Sequence, residues 1–371
     1  MSQPLIALAG LGQSPWYDFI TRDLVRSGEL ARLIREEGLR GMTSNPTIFE
    51  KAITSSADYD DDIRRLAGRG ATAAEIVEAL MVEDVQAACD AFGPLYESTG
   101  NGDGTVSIEV APTLAHDTDA TIAEAERLHA RVDRPNVMIK VPGTRAGLPA
   151  ISHLLAKGIH VNVTLLFSVE RYVEVIEAHA TGLERRASAG LPLAGIHSVA
   201  SFFVSRVDGQ TDPAIAAAGG EAAPLLHRMA IANAIAAYGT FQAALATPRW
   251  LELAARGAEI QRPLWASTST KDPSLPDTYY VDALIARDTV NTLPPATWTA
   301  YADHGDPEVR ITDEAIIAAA NALSRYAELK LPGLDERTAF LEDDGVAKFA
   351  ESWQNLLGAV EQKAGELSAA R

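Results

Sequence analysis

The stretch Val137-Met138-Ile139-Lys140-Val141-Pro142-Gly143-Thr144 places three apolar residues before a lysine and a turn-forming Pro-Gly pair soon after it. A near-continuous apolar run is how a strand covered on both faces of a parallel sheet reads, because a half-solvated strand alternates instead. Working outward, runs of the same texture lie at 11–18, 39–44, 105–110, 159–166, 197–204, 263–267 and 289–292, which with 136–141 make eight. Between them lie Ala-, Glu- and Arg-rich stretches with helical spacing, among them 71–91, 117–132, 168–190 and 222–245. Strands alternating with helices build a parallel sheet, and eight such units fill a closed (β/α)8 TIM barrel of the α/β class. An open doubly wound sheet is the alternative. No Gly-x-Gly-x-x-Gly follows a strand to open a helix, and Gly10-Leu11-Gly12 runs on to Pro15 as a turn.

A minimal barrel uses roughly 250 residues, and the chain has 371. The surplus falls at about 208–261, read as two or three inserted helices, and at about 296–371, read as a helical extension. Without a Pro/Gly/Ser linker or an internal repeat, the expectation is one decorated domain over 1–371. Fifty Asp and Glu against 32 Lys and Arg give a net charge of −18. So acidic a surface repels nucleic-acid backbones and anionic membranes, and neither is expected as a partner. The N-terminal run carries no basic residue ahead of it and is a poor signal peptide, so the expected address is the cytoplasm. The single cysteine, Cys89, excludes an intramolecular disulfide, and the eight histidines form no His-Glu-x-x-His, so no metal or other cofactor is expected.

The strand runs finish in different polar residues: Asp18, Asn45, Glu109, Lys140, Thr164, Ser201 and, a few residues past the seventh, Lys271. In a barrel these ends converge on the face where active sites of the fold sit. Lys140 among apolar neighbours is a candidate desolvated amine, which sheds its proton readily and attacks a carbonyl to give a Schiff base. By itself it reads more simply as a lysine closing a strand and reaching to water. Schiff-base chemistry and carbon–carbon cleavage need proton transfers, for which Asp18 and Glu109 are the carboxylates on offer. Their competing readings are a helix N-cap for Asp18 and a strand-end salt bridge for Glu109.

Taken as blocks, several segments resemble those of transaldolases. Thr43-Ser44-Asn45-Pro46-Thr47-Ile48-Phe49-Glu50-Lys51-Ala52-Ile53 is similar to their N-terminal signature, and the Val137–Thr144 stretch to their Schiff-base lysine signature. Gly158–Ser168 and Ser201–Asp208 resemble two further blocks, and Arg262–Lys271 resembles the long bacterial subfamily. The resemblance implies a cofactor-free barrel enzyme that moves a dihydroxyacetone unit. The donor would be fructose 6-phosphate or sedoheptulose 7-phosphate. The acceptor would be erythrose 4-phosphate or glyceraldehyde 3-phosphate, in the non-oxidative pentose phosphate pathway, with the enzyme a monomer or homodimer.

Carried over by position, the resemblance implies Lys140 as the Schiff-base amine and Asp18 as acid/base at the donor hydroxyl. Glu109 and Thr164 would hold the water of imine formation and hydrolysis. Asn45, Asn162 and Ser201 would bind the dihydroxyacetone hydroxyls, Phe203 would wall the pocket, and Arg206 would grip the phosphate. Lys271 stands near where shorter transaldolases carry an arginine. Asn45 before Pro46 also reads as a turn former, Phe203 as core, and Arg206 as a partner of Asp208. A sugar-phosphate lyase of the same fold and a catalytically inactive scaffold are the competing functions.

Overall fold

The computed structural model describes residues 3–369. Eight parallel strands close into a barrel in chain order: β1 (Gln13–Asp18), β2 (Gly41–Thr43), β3 (Thr105–Glu109), β4 (Val137–Pro142), β5 (His160–Leu166), β6 (Ser198–Phe203), β7 (Gln261–Ala266) and β8 (Thr289–Leu293). β4, β5 and β6 are buried along their whole length. That is the physical origin of their unbroken apolar texture: helices cover the outside of the barrel, and side chains fill its interior. β2 is shorter than the 39–44 run, although Leu39 is fully buried. Its first residue has to be glycine, because a Cβ on Gly41 would lie 2.4 Å from the buried Trp16 ring. β7 starts at Gln261, two residues before the expected run, in register with Ser198 of β6.

The helices begin where short polar side chains can satisfy free backbone N–H groups. Asp117 accepts from the Ala120 N–H and opens Thr118–Val132, and Ser168 accepts from the Arg171 N–H and opens Val169–Ser188. The helix expected at 71–91 runs from Ala73 to Ser98 and carries Pro94 within it. The stretch 222–245 is helical only from Met229 to Leu245. A 3-10 turn, Gly220–Leu225, and His227 at φ 61° interrupt its first part. A short helix, Gln3–Gly10, precedes β1 and was not anticipated.

Ser205–Ala218, Met229–Leu245 and Pro248–Ala255 separate β6 from β7. Pro295–His304, Asp313–Glu328 and the 36-residue Leu334–Ala369 follow β8. This last helix crosses the C-terminal mouth of the barrel, touching the segments that follow β2, β3 and β6 as well as β5 itself. Thr47 Oγ1 donates to Ser352 Oγ at 2.8 Å, Arg171 pairs with Glu342 at 3.1 Å, and Lys363 Nζ donates to the carbonyls of Ile53 and Ser56. Among the described residues no single helix is long and apolar enough to cross a membrane.

Candidate active site

Register decides which side chains meet. Glu109 of β3 is paired with Lys140 of β4, and Lys140 with Asn162 of β5, so the three stand in one row on one face. Asp18 of β1 is likewise level with Thr43 of β2. At the C-terminal ends of the strands lies a cavity of about 410 Å³. Asp18, Asn45, Lys140, Thr164, Ser201, Phe203, Arg206 and Lys271 all line it. Glu109 and Asn162 do not reach its surface and stand behind residues that do.

The Lys140 ammonium is almost fully buried; it donates to Glu109 Oε2 at 3.1 Å and to the Ser44 carbonyl at 3.2 Å. The strand-end salt bridge read for Glu109 therefore exists, with the candidate nucleophile as its partner. Burial pushes the Glu109 carboxyl above its usual range, opposed by the Lys140 charge and hydrogen bond. Its second oxygen, Oε1, and Thr164 Oγ1 are buried without a partner among the described residues. Two such atoms beside a reactive amine are what a water-holding site requires. Asp18 is not a helix cap. Its Oδ1 accepts from Thr43 Oγ1 at 2.8 Å, and burial also raises its pKa, against the pull of the Lys140 charge and the Thr43 hydrogen bond.

Asn45 does two things. Its Oδ1 accepts from the Ile48 N–H at 3.0 Å and caps Pro46–Ser55, which leaves the amide nitrogen for a ligand. Asn162 is fully buried; it accepts from Ser201 Oγ at 2.7 Å and donates to Ser107 Oγ at 3.0 Å. It orients Ser201 and has no face on the cavity. Phe203 both lines the cavity and packs on Phe167, with ring centroids 5.2 Å apart.

Arg206 does not pair with Asp208. That carboxylate accepts from the Ala230 N–H and from Tyr280 Oη, and burial pushes its pKa up to about 6. The Arg206 guanidinium stacks 5.4 Å from the Phe203 ring, and its Nη1 is buried without a partner among the described residues. Lys271 Nζ donates to Ser269 Oγ at 2.9 Å.

The family model for transaldolase/fructose-6-phosphate aldolase matches residues 15–360. The chain belongs to that family. A transaldolase of Acidothermus cellulolyticus is 51% identical over 97% of this chain and 96% of its own. Transaldolase 1 of Streptomyces avermitilis is 51% identical over 95% of this chain and 93% of its own. Transaldolase 2 of Nostoc sp. is 45% identical over 98% of each. Membership of the transaldolase/fructose-6-phosphate aldolase family accounts for the closed barrel and implies sugar-phosphate substrates.

Of the cavity residues not singled out from the sequence, Lys51 and Phe349 bear on the chemistry. Lys51 adds a cation to Lys140, Arg206 and Lys271 in the lining, and its signal was present, since it lies inside the Thr43–Ile53 block. Phe349 comes from the last helix, its ring centroid 5.7 Å from Lys140 Nζ. Nothing in the sequence distinguished it from the other apolar residues of an amphipathic helix.

Proposed function

We propose that this family member is a transaldolase, moving a dihydroxyacetone unit from fructose 6-phosphate or sedoheptulose 7-phosphate to erythrose 4-phosphate or glyceraldehyde 3-phosphate. The observation that carries the reading is a buried lysine, hydrogen-bonded to a buried carboxylate, on a cavity it shares with Asp18 and Arg206. The Lys140 amine attacks the ketose carbonyl. A water held by Glu109 and Thr164 relays the protons that turn the carbinolamine into an iminium. Asp18 takes the proton of the C4 hydroxyl, the C3–C4 bond breaks, and its electron pair moves to the iminium nitrogen as an aldose phosphate leaves. A second aldehyde takes up the three-carbon unit by the reverse steps. Two carboxyls above their usual range suit these alternating acid and base roles.

In this reading Asn45 and Ser201, with Asn162 behind Ser201, meet the sugar hydroxyls. Arg206 holds the phosphate as a fork of donors and Lys271 adds a point charge. The helical additions belong to the same domain as the barrel. The enzyme works in the cytoplasm without a cofactor, as a monomer or homodimer, in the non-oxidative pentose phosphate pathway.

Borohydride reduction in the presence of fructose 6-phosphate should leave a stable three-carbon adduct on Lys140, located by peptide mass. Lys140→Ala should neither label nor turn over; labelling or turnover in that variant would sink the reading. The competing lyase is separated by product analysis. Release of free dihydroxyacetone without an acceptor, at a rate matching transfer, would favour it.

A further inference from the structure

Lys140 Nζ is held from two directions by protein atoms, Glu109 Oε2 and the Ser44 carbonyl oxygen. The Phe349 ring faces it across the cavity at 5.7 Å. That distance is beyond van der Waals contact and within cation–π range, so the ring faces the amine without closing on it. An enamine or iminium on Nζ is flat. The ring is 6% exposed and comes from neither the barrel nor its strand-end loops.

Its placement is a property of the last helix. Gly345, one turn before Phe349, lets that helix approach β5: a Cβ there would lie 3.0 Å from Leu165 Cδ2 and 3.6 Å from Phe167. Leu165 itself sits at φ 62° in the irregular part of β5. Glycine is disfavoured in a helix interior, so its presence here goes with the close approach. The Thr47–Ser352 and Arg171–Glu342 pairs hold the helix on either side of Phe349.

We propose that Phe349 is a specificity-determining residue that shields the three-carbon unit on Lys140 from bulk water, so that the unit passes to an aldehyde instead of being released. Release needs only water. The enamine carbon takes a proton, water adds to the resulting iminium carbon, and the C–N bond breaks with its electron pair returning to the Lys140 nitrogen. The products are dihydroxyacetone and the free amine. An apolar ring against the unit withholds water from both the protonation and the addition, while an acceptor aldehyde bound through its phosphate still arrives. This inference rests on the transaldolase reading and deepens it.

The test is the ratio of two rates from fructose 6-phosphate: free dihydroxyacetone formed without an acceptor, followed by its reduction with NADH, and transfer to erythrose 4-phosphate. The ratio should rise on the order of tenfold in Phe349→Ala, with Phe349→Val and Phe349→Leu in between. Phe349→Leu keeps most of the apolar volume and the fold with it. A purely structural defect would lower both rates together and leave the ratio alone. An unchanged ratio in whichever variants retain the full borohydride adduct overturns the inference. Absence of an adduct in the unmodified enzyme overturns the transaldolase reading instead.

Discussion

Asp18 shows how one hydroxyl tunes a buried carboxyl. Burial raises its pKa, while Thr43 Oγ1, donating at 2.8 Å, favours the ionised form and holds the rise in check. Removing that donor leaves the Lys140 charge as the restraint, so the Asp18 pKa climbs further. If Asp18 must be ionised to take the C4 hydroxyl proton, kcat/KM falls as pH drops through that pKa. In Thr43→Val the acid limb of the pH–rate profile is therefore expected to move to higher pH; a limb that stays in place would remove Asp18 as the titrating base. The residue scale also shows what the sequence could and could not disclose. Lys140, Glu109 and Thr164 could be singled out because each lies at or within two residues of the end of a buried strand. The hydrogen bonds of Asn162 to Ser107 and Ser201 could not be read, because they depend on depth. Asn162 and Thr164 point to the same face of β5, but the asparagine lies two residues, or about 6.6 Å, deeper into the barrel, where Ser107 and Ser201 occupy its polar atoms.

At the scale of elements, the eight strands were legible since burial on both faces leaves a texture that no solvated segment shares. The weaker boundaries have local causes. β2 is only three residues long, and the 222–245 stretch is broken where His227 takes a positive φ. The last helix was legible as a helix and silent about its task. A phenylalanine on a helix's apolar stripe looks the same whether it meets core or active site, and only the crossing of the barrel mouth separates the two. Gly345 makes this testable without touching the cavity lining. Valine there would bring branched carbons against Leu165, already 3.0 Å from a bare Cβ, and drive the helix off β5. Gly345→Val should lose roughly 1–3 kcal/mol of stability through overpacking and raise the release-to-transfer ratio in the manner of Phe349→Ala. A destabilised Gly345→Val with an unaltered ratio would mean that the helix sets stability alone.

For the whole molecule, a net charge of −18 opposes the arrival of a sugar phosphate, yet the cavity gathers Lys51, Arg206 and Lys271. Much of the remaining basic side chain is neutralised elsewhere; Arg22, Arg171, Arg249 and Arg325 all sit in ion pairs. Among the described residues Lys51, Arg206 and Lys271 form none, whereas Lys140, deeper in the cavity, pairs with Glu109. Two fields of different range thus act on the substrate: a distant repulsion from the acidic surface and a contact attraction at the cavity. Salt separates them, because the screening length shrinks from about 30 Å at about 10 mM to about 8 Å at about 150 mM, while a partly buried contact is screened much less. Over that range the KM for fructose 6-phosphate should fall, by about twofold, with kcat unchanged. Acetate in place of chloride controls for competition by the anion. Arg206→Ala removes charge-assisted hydrogen bonds of about 1.5–3 kcal/mol, so its KM should rise roughly ten- to a hundredfold while still falling with salt. A wild-type KM that rises with salt would mean that the cavity cations also govern the long-range field, and the acidic surface would then lie too far from the mouth to matter.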